Sequence, residues 1–172
     1  NDGVFFLTGG AGSGKSTLLR YLRDNSKHKE KLGLAAPTGT AALNIDGYTL
    51  HSLAGITVSD WPRLSKEPSV KEKRRKPDGL KKGGFTGKSD EVLSALSFLI
   101  IDEVSMVSAD MLDSLDRAMR WAKEIDKPFG GVKTLLIGDP YQLAPVVHMP
   151  KWNSSEARRI YDDVYFYRPI SW

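Results

Sequence analysis

The sequence predicts an α/β fold in which a parallel sheet carries helices on both faces. Three observations lead there. Short apolar runs recur at Val4–Thr8, Leu32–Ala36, Phe98–Ile101 and Val132–Ile137. Helical patterns, not two-residue turns, separate them. Each run is continuous rather than alternating with polar residues, so both faces of the sheet must be covered.

The elements follow in order. Val4–Thr8 closes on two glycines and reads as a buried strand. Ser16 to Arg23 carries Leu18, Leu19 and Leu22 at helical spacing. Leu32–Ala36 is a second strand, stopped by Pro37. Thr38 to Ile45 is Ala-rich and predicted helical, with Thr38 or Thr40 as its cap. Phe98–Ile101, "FLII", is a third strand ending in two carboxylates. Ser108 to Ile125 is the clearest helix. Met111, Leu112, Leu115, Ala118, Met119 and Ala122 share one face, Ser108 offers a cap, and Pro128 with Gly130-Gly131 lies beyond. Val132–Ile137 is a fourth strand, and Val164 to Tyr167 is a candidate fifth.

Composition narrows the function classes. The 172 residues suit one domain, and 40% hydrophobic content suffices for one core. With no cysteine, disulfides, cysteine-ligated zinc and thiol chemistry are excluded. No apolar run approaches the roughly 18 residues of a membrane span, so no membrane partner is expected. The net charge of +4 is a mild bias toward polyanions. That bias has one source. Residues 62–90 hold ten Lys and Arg against four Asp and Glu, a local +6, which leaves the rest of the chain near −2. This stretch shows no sustained apolar period and is expected to be a basic loop excursion within the domain.

In parallel sheets of this kind ligands bind at the carboxyl ends of the strands, and every chemically suggestive residue falls there. Gly9-x-x-x-x-Gly14-Lys15-Ser16 matches the P-loop pattern, with a strand before it and a helix after. Its glycines let backbone N–H groups turn inward around phosphate oxygens. The helix that follows presents its positive end to the same anion. Gly9, Gly10, Ala11, Gly12, Ser13, Gly14, Lys15, Ser16 and Thr17 are therefore expected to bind a nucleoside triphosphate. Lys15 should reach the β- and γ-phosphates, and the Ser16 hydroxyl should ligate magnesium.

Magnesium needs a hard oxygen opposite the phosphates, and "FLIIDE" supplies one. Asp102 can hold the ion's hydration shell, and Glu103 can polarise an attacking water. Gln142, in "LLIGDPYQLAPV", is open to two readings. Its amide can sense the γ-phosphate or the attacking water, or Asp139 merely caps a turn with Pro140 and leaves Gln142 exposed. Three function classes stay open at this point. One is a hydrolase that uses ATP as fuel. Another is a P-loop phosphotransferase, against which Glu103 speaks. The last is a nucleic-acid-binding module dominated by the basic segment.

Four blocks together resemble, in order, motifs of the PIF-type DNA helicases, RecD-like 5′-to-3′ translocases of helicase superfamily one. They are "FFLTGGAGSGKSTLLRYL", "APTGTAALNIDGYTLHSLAG", "FLIIDEVSMVSADMLDSLDRAMRWAKEIDKPFGG" and "LLIGDPYQLAPV". They cover about 4 to 61 and 96 to 147, and the block after "IDE" is the most specific. The resemblance implies a RecA-like P-loop NTPase domain, with ATP and Mg2+ as cofactors and single-stranded, forked or structured DNA as partner. It implies catalytic roles for Lys15, Asp102, Glu103 and Gln142, with metal on Ser16 and Asp102. Gln142 matches the glutamine that couples the γ-phosphate to the DNA track. Pro37, Thr38, Gly39 and Thr40 match one DNA-contacting motif, and Thr49, His51 and Ser52 the next. From the residues alone, Thr38 is equally a plain helix cap and His51 a buried or capping histidine.

Two parts of the family pattern are not in these 172 residues: a glutamine-containing segment before the P-loop that reads adenine, and a second RecA-like domain with arginine fingers. The expectation is that residues 1–172 are the first motor domain of a longer helicase, poorly active alone, with the second domain in cis. The resemblance further implies roles in DNA repair, recombination and telomere maintenance, in the cytoplasm or nucleoid of a bacterium or phage host, or in the nucleus or mitochondria of a eukaryote. Residues 62–90 either contact DNA phosphates or form a solvated loop. Trp61 and Phe85 are candidate base-stacking residues, whereas Trp121, Trp152 and Trp172 are expected to pack.

Overall fold

A computed structural model describes residues 3–55, 88–145 and 164–166. Five parallel strands form one sheet in the order β1-β5-β4-β2-β3. They are β1 (Val4–Thr8), β2 (Leu32–Ala36), β3 (Tyr48–Thr49), β4 (Phe98–Ile101) and β5 (Lys133–Gly138). The helices are α1 (Lys15–Asn25), α2 (Gly39–Asn44), α3 (Leu50–Ala54), α4 (Lys88–Ala95) and α5 (Ala109–Lys123).

Strand periodicity sorts the core into two layers. Leu99, Ile101, Ala35 and Leu136 face α3, α4 and α5, where Leu50, Leu93, Leu112, Leu115 and Met119 meet them. Leu34, Ala36, Ile100 and Ile137 face the other way, toward Leu19 of α1 and Ala42 with Ile45 at α2. Helices on both faces are thus present as expected. Truncating a fully buried residue such as Leu112 to Ala would cost about 2–5 kcal/mol.

The edge strand differs from its expectation. β1 forms, but Phe5 and Phe6 are 51% and 44% exposed. β1 lies at the sheet edge with β5 as its neighbour, and among the described residues little covers these two side chains. Phe5, Phe6, Tyr141 and Phe166 line an open apolar groove of about 570 Å3 there. Among the described residues its lining carries no charged side chain.

Other expectations need adjustment. Of the candidate fifth strand Val164 to Tyr167, residues 164–166 are described, and they form only an isolated antiparallel bridge from Tyr165 to Ser108. Instead the short Tyr48–Thr49 pairs with β2. Gly47 permits this, because a Cβ there would stand 2.5 Å from the Leu34 carbonyl oxygen. Residues 88–90, the end of the expected basic loop, open α4; the remainder, with Trp61 and Phe85, lies outside the described residues, as do Trp152 and Trp172. Trp121 is partly buried on α5. Ser108 occupies the cap position of α5 without a side-chain bond to its amides; it interacts with the Asp110 carboxylate instead. No helix among the described residues is long and apolar enough to cross a membrane.

The long helix is locked to the glycine turn after it. Asp116, fully buried, accepts from the Phe129 N–H and from Arg120 Nε at 2.7 Å. Phe129, Gly130 and Gly131 take φ of +51°, +62° and +76°. A Cβ on Gly130 would stand 2.7 Å from the Met119 carbonyl oxygen. The "KPFGG" turn is therefore the residue set that lets β5 return tightly against α5.

Candidate nucleotide and nucleic-acid site

The P-loop begins where β1 ends. Gly12 and Gly14 adopt φ of +73° and +89°, a left-handed conformation that side-chain-bearing residues rarely take. Gly14 occupies the N-cap of α1 and has no side chain to cap it. The first-turn amides of α1 therefore have no intrahelical acceptor and form an anion-binding end. A Cβ on Gly9 would meet Ser13 Oγ at 2.7 Å, while Cβ atoms on Gly10, Gly12 and Gly14 would meet nothing within 4 Å. The cradle is thus tight at its entry and open over its rim. Lys15 Nζ donates to the carbonyls of Gly9 at 2.5 Å and Gly10 at 2.9 Å, so the ammonium already sits at the loop's mouth. Ala11, Ser13, Ser16 and Thr17 are exposed around it.

β4 brings the carboxylate pair to the same edge. Asp102 is only 8% exposed. Burial pushes its carboxyl above the usual range, against two opposing effects: the hydrogen bond from the Glu103 N–H and the positive charge of Lys15. That N–H donates to Asp102 Oδ1 at 3.0 Å. Glu103 itself is left-handed, with φ +52° and ψ +40°. A non-glycine residue there is strained, and the bend turns the chain into the 3-10 turn Val104–Met106.

β5 delivers the third element. Gly138 ends the strand against that turn: a Cβ would lie 3.0 Å from Val104 Cγ1 and 3.1 Å from the Ser105 and Val104 nitrogens. Asp139, 8% exposed, then accepts from the Tyr141 N–H at 3.0 Å through Oδ1 and from Gln142 Nε2 at 3.1 Å through Oδ2. The Gln142 N–H donates to the Asp139 carbonyl at 3.0 Å. Asp139 does cap a turn and Gln142 is exposed, as one of the two sequence readings has it. The side-chain amide is nevertheless tethered.

The other half of the edge holds the threonine motifs. Thr38 is the N-cap of α2, its Oγ1 accepting from the Ala41 N–H at 3.2 Å. Thr49 repeats this at α3, accepting from the Ser52 N–H at 3.2 Å. Capping uses a lone pair and leaves each hydroxyl hydrogen to donate. Pro37 precedes Thr38, and Gly39 and Thr40 lie exposed beside it; a Cβ on Gly39 would meet nothing within 4 Å. His51 is half-buried on α3. Burial lowers its pKa, while the Asp110 carboxylate works the other way.

Among the described residues two buried side-chain oxygens lack a hydrogen-bond partner, Ser105 Oγ and Asp110 Oδ1. Neither was singled out from sequence, whereas Asp139 was read there as a turn cap. The Asp-Pro pair after a strand is an Asx-turn signal that marks Asp139; nothing local marks Ser105 or Asp110. No three His, Asp or Glu side chains converge on a metal-sized site among the described residues.

A model of the PIF1-like helicases matches residues 1–162. The chain belongs to the PIF1-like helicase family. The ATP-dependent DNA helicase PIF1 of Emericella nidulans is 39% identical over 158 residues, which is 89% of this chain and 19% of that protein. The human ATP-dependent DNA helicase PIF1 is 36% identical over 141 residues, 82% of this chain and 20% of its own length. Among solved structures, Bacteroides Pif1 bound to single-stranded DNA superimposes with TM-score 0.76 at 38% identity, covering 96% of this chain and 35% of that one. The Bacteroides Pif1 complex with ADP-AlF3 and single-stranded DNA gives 0.73 at 40% identity, covering 99% and 36%. This PIF1-like chain thus spans about a fifth of the length of these curated relatives, and its RecA-like fold matches that of the solved Pif1 structures.

Proposed function

We propose that residues 1–172 form the first motor domain of an ATP-dependent DNA helicase that moves 5′-to-3′ on single-stranded DNA, with a second RecA-like domain in cis. The strand order carries this reading. β1, β5 and β4 are adjacent and end in the P-loop, the Gln142 turn and the Asp102-Glu103 pair, while β2 and β3 end in the Thr38 and Thr49 turns. A nucleotide half and a DNA half thereby share one edge of one sheet. Relatives solved with single-stranded DNA and with ADP-AlF3 support the same assignment.

Residues Gly9 to Gly14 wrap the phosphates with backbone N–H groups, and Lys15, Ser16 and Thr17 add the first amides of α1. Lys15 trades its loop carbonyls for β- and γ-phosphate oxygens. Magnesium, when bound, neutralises phosphate charge. Ser16 and Asp102 are the residues that would hold it, and two protein oxygens suffice because the ion keeps several waters. Glu103 takes the proton of the attacking water. Gln142 senses the γ-phosphate and relays its loss to Pro37, Thr38, Gly39, Thr40, Thr49, His51 and Ser52 on the DNA strand. Forked or structured DNA is the expected substrate, and the compartment is wherever that DNA lies: cytoplasm or nucleoid, nucleus or mitochondrion.

The test is ATP hydrolysis by the full-length protein with and without single-stranded DNA, repeated with Glu103→Gln. The expected result is DNA-stimulated hydrolysis that falls about 100-fold or more in the variant. Phosphate transfer to a small acceptor, indifferent to DNA, would overturn the proposal.

A further inference from the structure

The Asp139 carboxylate stands apart from the residues that touch nucleotide in the reading above, yet it is buried at the tip of β5 and each of its oxygens accepts a hydrogen bond. Oδ1 takes the Tyr141 N–H and Oδ2 takes the Gln142 side-chain amide. A carboxylate only accepts. The Gln142 side chain must therefore turn its nitrogen toward Asp139, which leaves Oε1 as the end directed away from that bond. With the Gln142 N–H on the Asp139 carbonyl as well, three hydrogen bonds fix a four-residue tip. Gly138, where an added Cβ would stand 3.1 Å from the Val104 and Ser105 nitrogens, lets that tip pack closely on the turn that follows Glu103.

We propose that Asp139 is a positioning residue for Gln142: its carboxylate sets the orientation of the amide, so that Oε1 can accept one hydrogen of the attacking water while the second Nε2 hydrogen stays available to a γ-phosphate oxygen. This rests on Gln142 acting at the nucleotide, as proposed above. Tethering through Oδ2 removes rotamer freedom that an exposed glutamine otherwise keeps, and pre-organised geometry is expressed in turnover rather than in ground-state binding.

The test is a double-mutant cycle on DNA-stimulated ATP hydrolysis by the full-length protein. Asp139→Ala should lower kcat about 10-fold while leaving KM for ATP within about 3-fold. Asp139→Asn, near-isosteric and with one acceptor oxygen, should fall between Ala and the parent; it decides the matter if the Ala variant does not fold. Adding Asp139→Ala to Gln142→Ala should produce no further loss, because the two act as a unit. Fully additive losses would overturn the proposal, as would a normal kcat in Asp139→Ala and Asp139→Asn while Gln142→Ala is impaired. If Gln142→Ala itself turns over normally, the role of Gln142 falls first and that of Asp139 with it.

Discussion

The Asp102 N–H donates to the Ala35 carbonyl at 2.9 Å. This hydrogen bond ties the tip of β4, which carries the carboxylate pair, to the end of β2, two residues before Pro37. The two halves of the proposed functional edge are thus joined by backbone. It also places Asp102 where water is scarce, which is the physical cause of its raised pKa.

From this follows a stability expectation with a definite sign. A carboxyl whose folded pKa lies above its unfolded value favours folding when protonated, and that contribution is lost as pH rises from the unfolded value of 3.8 through the folded one. Above the folded value the burial of Asp102 therefore costs stability. Asp102→Asn should raise Tm while abolishing magnesium-dependent hydrolysis. Calorimetry beside an ATPase assay checks both, and an unchanged or lower Tm would contradict the burial argument.

Gly138→Ala probes the contact between β5 and the turn after Glu103. The new methyl group would press on backbone nitrogens at 3.1 Å, which cannot move aside as a flexible side chain does. We expect about 1–3 kcal/mol of destabilisation, read as a lower urea midpoint, together with reduced turnover. A midpoint equal to the parent would show that the strand tip is more pliable than its packing indicates.

Thr38 separates capping from DNA contact. Thr38→Ala should lose about 1 kcal/mol from the cap of α2 and weaken binding to single-stranded DNA. Thr38→Ser keeps an oxygen and a hydroxyl hydrogen and should retain both. Titration with a labelled oligonucleotide at fixed salt, beside thermal melting, is the measurement. Equal DNA affinity for all three proteins would leave Thr38 a cap only.

His51 supplies a pH dependence of the same origin, burial, and of opposite sign. Its pKa is lowered by burial, so the neutral ring is the form the fold favours. The associated stability is complete above the unfolded value of 6.5 and is lost as pH falls from there toward the folded value. Urea midpoints measured from pH 7.5 down to 5 should decline in the parent, and less steeply in His51→Asn. Identical slopes in the two proteins would assign the decline elsewhere.

Much of the nucleotide site was legible because it is local. Nine consecutive residues, Gly9 to Thr17, make up the proposed phosphate cradle, and turn and helix-end physics follow directly from their order. The central strands β2, β4 and β5 were legible for a similar reason: continuous apolar runs have few other stable uses. α4 was not, because Lys88–Ala95 carries too weak an apolar face to stand out from the basic stretch before it. Tyr48–Thr49 was missed because two residues have no period; only the close approach of Gly47 to Leu34 makes them a strand.

The sequence by itself determined the chemistry on offer: a phosphate loop, a lysine, a carboxylate pair, an amide and two threonine turns, each written in adjacent residues. The tertiary structure alone decided how they are used together. Strand order, not chain order, sets β5 between β1 and β4, and so puts the Gln142 turn between the P-loop and the carboxylates. Burial alone raises the Asp102 pKa. Packing of Gly138 on the Val104 turn, and the tether of Gln142 to Asp139, depend on contacts between segments more than thirty residues apart or on a three-dimensional turn. Such contacts arise only when the two faces of the sheet are covered and the strand tips are drawn to one edge.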